Sequence, residues 1–254
     1  MPASLDAEVA AFAILFARIG AVLMLLPAFG DEALPGRIRL LLAVGTTLAL
    51  FPMLRPLAEP LLAGGDAGLL RILPVELLVG LAMGSLVRII FLAAAMAGAL
   101  ISVQAGLTTS LVFDPAAGSH TPTLGKLVVL AATLFCLSTG LHHLWFEALL
   151  GSYAAFPPGQ VPDEASWLQL AVATTAQATR LACELAAPFL IYGIVFNVVL
   201  GFSTRLAPAI QIFFIAQPLN IMLGIGLLAV TGGTILVHFA DGLGAWLSGG
   251  WTLV

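Results

Sequence analysis

From Leu69 to Ile101 the chain runs thirty-three residues with three charged side chains, Arg71, Glu76 and Arg88. As a helix rising about 1.5 Å per residue, this stretch is roughly 50 Å long, whereas the hydrocarbon core of a bilayer is about 30 Å thick. Five more long apolar segments accompany it, approximately Ala7 to Leu26, Ile38 to Met53, Leu124 to Phe146, Leu168 to Phe202 and Ile212 to Leu247. The third, fifth and sixth exceed one hydrocarbon thickness. They must tilt, bend into hairpins or leave the bilayer. The expected fold class is all-α: an integral membrane-associated protein of about six long, partly kinked hydrophobic helices or hairpins, packed in a larger assembly.

Charge supports the same reading. Of 254 residues 61% are hydrophobic and 9% charged, against about 25% charged in ordinary soluble domains. With 9 Lys+Arg and 13 Asp+Glu there is too little charge to clothe a soluble surface. The net charge of −4 and the lack of a basic cluster exclude nucleic acid as a partner. Cys136 and Cys183 lie in apolar stretches without ligand spacing and read as small buried hydrophobes. The acidic start, Met1 to Glu8, lacks the basic region of a secretory signal, so the first apolar run is expected to stay as an anchor. Arg37, Arg39, Lys126 and Arg205 in the odd connections place both termini outside the cytoplasm by the positive-inside rule.

Proline and glycine punctuate the segments. Breaks are expected at Pro27 through Gly36, Pro52 through Gly65, Asp114 through Pro122, Pro157 through Gly159, and Arg205 through Pro208. Bends are expected at Gly80 and Gly84, at Pro188, and at Gly224, Gly226 and Gly232-Gly233.

An ionisable group at bilayer depth costs at least ~2.5–3.5 kcal/mol on insertion scales, so each needs a partner, water or a protein-lined interior. Arg18, Glu76, Arg88, Arg180 and Glu184 stand in that position. Arg180 and Glu184, one turn apart, are expected to form a buried charge pair. Such groups either satisfy one another inside a helix assembly or line a polar pathway. His142-His143 with Glu147 lacks a third ligand at suitable spacing. The chain carries no Gly-x-Ser-x-Gly elbow, no His-Glu-x-x-His pair and no Gly-x-x-x-x-Gly-Lys loop. No catalytic residue, metal site or cofactor is therefore expected, and the chain is not read as an enzyme.

Three motifs, in order, carry a resemblance. The first is Ala17-Arg18-Ile19-Gly20, then Leu26-Pro27-Ala28-Phe29-Gly30, then Leu34-Pro35-Gly36-Arg37-Ile38-Arg39-Leu40. The second runs from Gln104-Ala105-Gly106-Leu107 through Asp114-Pro115-Ala116-Ala117-Gly118 to Pro122. The third is Arg205-Leu206-Ala207-Pro208-Ala209-Ile210-Gln211-Ile212-Phe213-Phe214, followed by Pro218-Leu219-Asn220-Ile221 and Gly224. Together they resemble the flagellar biosynthetic protein FliR family, whose injectisome counterpart is SctT. Two stretches depart from the family pattern: Ala216-Gln217-Pro218-Leu219-Asn220 stands where Gly-Phe-Pro-Leu-Lys is frequent, and Ala105 where Met is frequent.

The resemblance implies a subunit of the type III protein export gate in the bacterial inner membrane, at the flagellar basal body. It would assemble with FliP-like and FliQ-like subunits next to an FlhB-like subunit and pass unfolded polypeptide substrates. It further implies one domain over 1–254, with a FliP-like N-terminal part (1–122) and a C-terminal helical part (123–254). The loop of about 106–122 would be a plug, with Leu111-Val112-Phe113 as an apolar stopper between bends at Gly106, Asp114-Pro115 and Gly118. The alternatives are the equivalent injectisome subunit and, further off, a small-solute transporter, which calls for inverted repeats that the sequence does not display.

Overall fold

The computed structural model describes residues 5–30, 34–107, 123–206 and 212–249. Among these the chain forms seven α-helices and no strand. They are α1 (Leu5–Leu25), α2 (Gly36–Ala58), α3 (Gly65–Gln104), α4 (Thr123–Ser138), α5 (His142–Ala155), α6 (Glu164–Leu206) and α7 (Ile212–Ser248). A 3₁₀ turn, Glu59–Gly64, joins α2 to α3. Five helices are long and apolar enough to cross a membrane, and six spans result if α4 and α5 form one broken span.

Proline does not stop these helices. Pro52 and Pro56 lie inside α2, Pro74 inside α3, Pro188 inside α6 and Pro218 inside α7. The break expected from Pro52 through Gly65 thus occupies only its later part, Glu59–Gly64, and it closes on Gly65 in the left-handed region, φ 61°. In apolar surroundings a helix forfeits one bond at proline, whereas leaving the helix would strand many backbone groups without water.

The three segments too long for one bilayer are each one continuous helix. The sharp fold falls instead in the fourth segment, whose hydropathy reads as a single run: α4 and α5 meet at 79° across residues 139–141. There the backbone N–H and hydroxyl of Thr139 both donate to Phe135 O, at 2.9 and 2.8 Å, and Gly140 takes a φ of 80°. Glycine enters that conformation without a steric penalty.

The helices pack into two compact units that interleave along the sequence. The first comprises Met1–Ile90, His142–Thr175 and Trp246–Val254, and the second Phe91–Leu141 and Ala176–Ala245. In the first unit α1 packs on α3 through Gly80 and Gly84, the glycines expected to mark a bend. A Cβ added to Gly80 would lie 2.5 Å from Arg18 O and 2.8 Å from Ala21 Cβ, and one on Gly84 would lie 2.8 Å from Leu25 Cβ. Gly80 and Gly84 are therefore a close-packing surface within an unbroken helix. The same unit buries Ile14, Leu15, Ile19, Met83 and Leu149, with Phe12 and Phe51 joining α1 to α2 at 6.0 Å between ring centroids.

The second unit centres on Ile101, Leu185, Phe189 and Leu243, with Phe91 and Phe239 meeting edge to face at 5.2 Å. Internal burial differs widely among the membrane-length helices. In their most apolar windows 50% of α1 and 56% of α3 is buried inside the chain, but 17% of α2, 22% of α6 and 11% of α7. The last three helices leave most of their apolar surface for something else to cover.

Candidate functional site

Three polar constellations interrupt this apolar framework. The first is internal. Arg18, in the C-terminal half of α1, is fully buried and faces Glu76 of α3, also fully buried. Its Nε donates to Glu76 Oε2 at 2.7 Å and its Nη2 to Oε1 at 3.0 Å, a bidentate fork. Nη1 donates to Phe156 O at 2.9 Å, Gly159 N–H donates to Glu76 Oε1 at 2.8 Å, and the Tyr153 ring lies 4.4 Å from the guanidinium carbon. Each charge has its opposite and most of its hydrogen bonds, the condition under which a buried ion pair persists. The knot ties α1, α3, α5 and the Pro157–Gly159 turn together. With every member of the fork engaged inside the protein, it acts as a fastening.

The second constellation is at the end of α3, where the Gln104-Ala105-Gly106 motif stands. Gly106 N–H donates to Val103 O at 3.2 Å and Leu107 N–H to Ser102 O at 3.0 Å, with Gly106 at φ 71°. This is the bonding of a Schellman stop, which requires a left-handed residue just past the helix. α6 and α7 close around the turn. Gln217 Nε2 donates to Gly106 O at 2.9 Å, and a Cβ on Gly106 would meet Asn220 Nδ2 at 2.7 Å. Asn220 is buried, its Oδ1 accepting from the Tyr192 hydroxyl at 2.6 Å. Any side chain at Gly193 would collide with Gln104, and a Cβ on Gly224 would lie 2.5 Å from Ala105 Cβ.

Residues expected from the sequence to depart from the family pattern meet in one place: Ala105 fits against Gly224, and Gln217 and Asn220 supply the amides around the turn. Segments far apart in sequence, 104–106, 192–193 and 217–224, form one junction. Leu111, Val112, Phe113, Asp114, Pro115, Gly118 and Pro122 lie outside the described residues.

The third constellation is on the surface. Arg180 Nε bonds Glu184 Oε1 at 2.8 Å, and Glu184 Oε2 lies 3.3 Å from His238 Nε2 on α7. The pair expected at this spacing forms, but outside the chain's interior: the Arg180 side chain is 81% exposed and that of Glu184 40%. The face of α6 bearing residues 180 and 184 points away from the second unit's core, which Leu181, Ala182 and Leu185 occupy instead. Among the described residues the buried pair is Arg18–Glu76, whose members the sequence marks only singly; a separation of 58 residues offers no local signal of their meeting.

The remaining motif residues fall in the first connection and on the later helices. Pro27 is buried in the turn after α1, where Gly30 N–H donates to Leu26 O at 2.7 Å. Pro35 caps α2, and Arg39 reaches back to Leu34 O at 3.1 Å, bracing the turn, while Arg37 is exposed. Gly20 lies in the buried face of α1 beside the Phe16 ring. Arg205 is exposed in the last turn of α6, Pro218 is exposed on α7, and Pro208 is outside the described residues. Arg88, His143 and Glu147 are exposed, and no group of three metal-capable side chains occurs among the described residues. Sequence reasoning missed Tyr192 and Gly193, and it expected the break at Pro157 through Gly159 without its bonds to Arg18 and Glu76; these roles lie in tertiary contacts.

The chain is similar to known proteins over most of its length. Residues 9–245 match the family described as bacterial export proteins, family 1. The flagellar biosynthetic protein FliR of Caulobacter vibrioides is 37% identical over 90% of this chain and 91% of its own. That of Bacillus subtilis is 28% identical over 89% and 88%. The Yop proteins translocation protein T of Yersinia pestis is 25% identical over 82% and 80%. This chain belongs to the bacterial export proteins, family 1.

Proposed function

We propose that the chain is a subunit of the flagellar type III protein export gate in the bacterial inner membrane. There it assembles as one FliR-like domain over 1–254 with FliP-like and FliQ-like subunits beside an FlhB-like subunit. Unfolded flagellar proteins are its cargo, and it changes no covalent bond. The observation that carries the reading is the 37% identity, over nine-tenths of both chains, to a protein named for flagellar biosynthesis. The sparse internal burial of α2, α6 and α7 supports a chain that is completed by other subunits.

In this reading the stretch from Gly106 to Pro122 is the plug, and Gln104, Gly106, Gln217 and Asn220 hold its root. Deleting the gene should abolish swimming and export of flagellin into the medium, and the intact gene should restore both. Normal export from the deletion strain would sink the proposal. Shortening Leu111 to Gly118 in an assembled complex should let ions leak across the membrane; unchanged conductance would remove the plug assignment alone.

The injectisome reading draws on the 25% identity to the Yersinia protein. It predicts the opposite phenotype, with flagellin export intact and other secreted proteins lost.

A further inference from the structure

The Arg180–Glu184–His238 cluster stands where a membrane-class chain should not expose charge. Along α6, large apolar side chains are more than half exposed on both sides of it: Leu168 and Val172 before, and Ile191, Ile194, Val195, Val198, Phe202 and Leu206 after. From Leu168 to Leu206 this exposed surface follows about 57 Å of helix. A bilayer covers about 30 Å, and about 39 Å even at a 40° tilt. Lipid alone therefore leaves part of the helix uncovered, and the ionised cluster is the part that lipid covers worst.

The donors and acceptors of the cluster specify its complement. Both Glu184 oxygens are engaged, Oε1 by Arg180 and Oε2 by His238. Arg180 has committed only Nε, so the four N–H bonds of its two terminal nitrogens point outward unpaired. The cluster opens into a groove of about 450 Å³ lined also by Gln177, Leu181 and Gly242. At Gly242 α7 packs closely on α6 beside the groove, since a Cβ there would press on Leu181 at 3.0 Å. A groove of that volume takes one or two side chains of a neighbouring helix. The acceptor shaped for a guanidinium fork is a carboxylate.

We infer that this groove is an intersubunit docking site for an apolar helix of another subunit, and that an Asp or Glu on that helix closes on the outer edge of Arg180. The inference rests on the chain's being part of a membrane assembly, and its test separates the two. A photo-crosslinking amino acid in place of Gln177, in the full chain expressed in its own cells, should crosslink to a helix of a different subunit that bears an Asp or Glu within one turn of the attachment point. Arg180→Glu should lower the amount of that subunit co-purifying with the chain by about tenfold or more. Placing Arg at the identified acidic position should restore it.

Because Arg180 is exposed within the chain, the purified Arg180→Glu chain should keep its helical circular dichroism and melting temperature, and loss of either would overturn the inference. Crosslinks to lipid alone, to a second copy of this chain, or to a helix without an acidic residue would each overturn it. So would undiminished co-purification of Arg180→Glu. In these cases a complex still recovered with the wild-type chain would leave the export-gate reading standing.

Discussion

The Arg18–Glu76 knot and the Arg180–Glu184–His238 cluster use the same chemistry to opposite ends. In the first, two fully buried charges lock each other, and the backbone of residues 156–159 supplies the remaining hydrogen bonds. In the second, a guanidinium satisfied at one nitrogen stands 81% exposed on a helix that is otherwise apolar. Both would be intolerable against lipid. The chain solves the first internally and leaves the second to whatever packs on α6 and α7. A closed cluster is a fastening, and an open one marks where the protein continues into its neighbours.

The largest effect expected is at the closed knot. Glu76→Leu strands a buried guanidinium and should cost about 3–5 kcal/mol, read as loss of the folded chain in detergent or as a collapse of its melting temperature. Arg18→Met combined with Glu76→Leu should recover part of that loss, although Phe156 O and Gly159 N–H stay without partners. If Glu76→Leu melts with the wild type, the knot is not what fastens α1 to α3. Arg180→Leu, by contrast, should leave the chain's own melting unchanged while reducing its recovery in a complex.

Next comes the glycine contact beneath the knot. Gly80→Leu drives a side chain into the Arg18 backbone and should cost about 1–3 kcal/mol by overpacking, measured by the same melt. At the α3 turn, Gly106→Ala should cost about 1–2 kcal/mol for the left-handed conformation, with added displacement of Gln217 and Asn220. Hydrogen exchange at Leu107 would report the loosened turn, and unaltered protection there would contradict the clasp.

The smallest effect tests a charge satisfied in water. Asp163 Oδ2 accepts from the backbone N–H and the hydroxyl of Ser166, both at 2.9 Å, capping α6. These bonds, the backbone one foremost, hold its carboxyl below its ordinary range. Since the folded value is depressed, the cap's contribution is fully present above the ordinary carboxylate range and is lost as pH falls through the lowered folded value. Protection at Ser166 and Trp167, taken against the unstructured exchange rate at each pH, should fall over that acidic window in the wild type. In Asp163→Ala that protection should already be low at neutral pH. Equal protection in both at every pH would remove the cap.

The helices are legible in the sequence because apolar runs with few charges have one backbone solution away from water. Their ends are legible where glycine takes a positive φ, as at Gly65. The break expected from Pro52 through Gly65 begins only at Glu59, because a helix tolerates proline where leaving it would strand more backbone groups than the one bond proline forfeits. The 79° fold between α4 and α5 escapes because three residues, Thr139-Gly140-Leu141, make it inside a run whose hydropathy does not change. The motif residues can be picked out one by one, but their meeting at Gly106 cannot, since contacts between 104–106, 192–193 and 217–224 belong to packing. Gln217 bonds the turn at Gly106 O, and Asn220, held by Tyr192, abuts it.

The central claim is that this chain is one incomplete part of a membrane assembly, and native mass spectrometry of the chain extracted from its own membranes in mild detergent tests it most directly. The account predicts that essentially all of it leaves the membrane in a particle far heavier than its own 26.3 kDa, with other export subunits in defined ratio. Release of most of the chain from those membranes as a single 26.3 kDa species, free of any other export subunit, would contradict it.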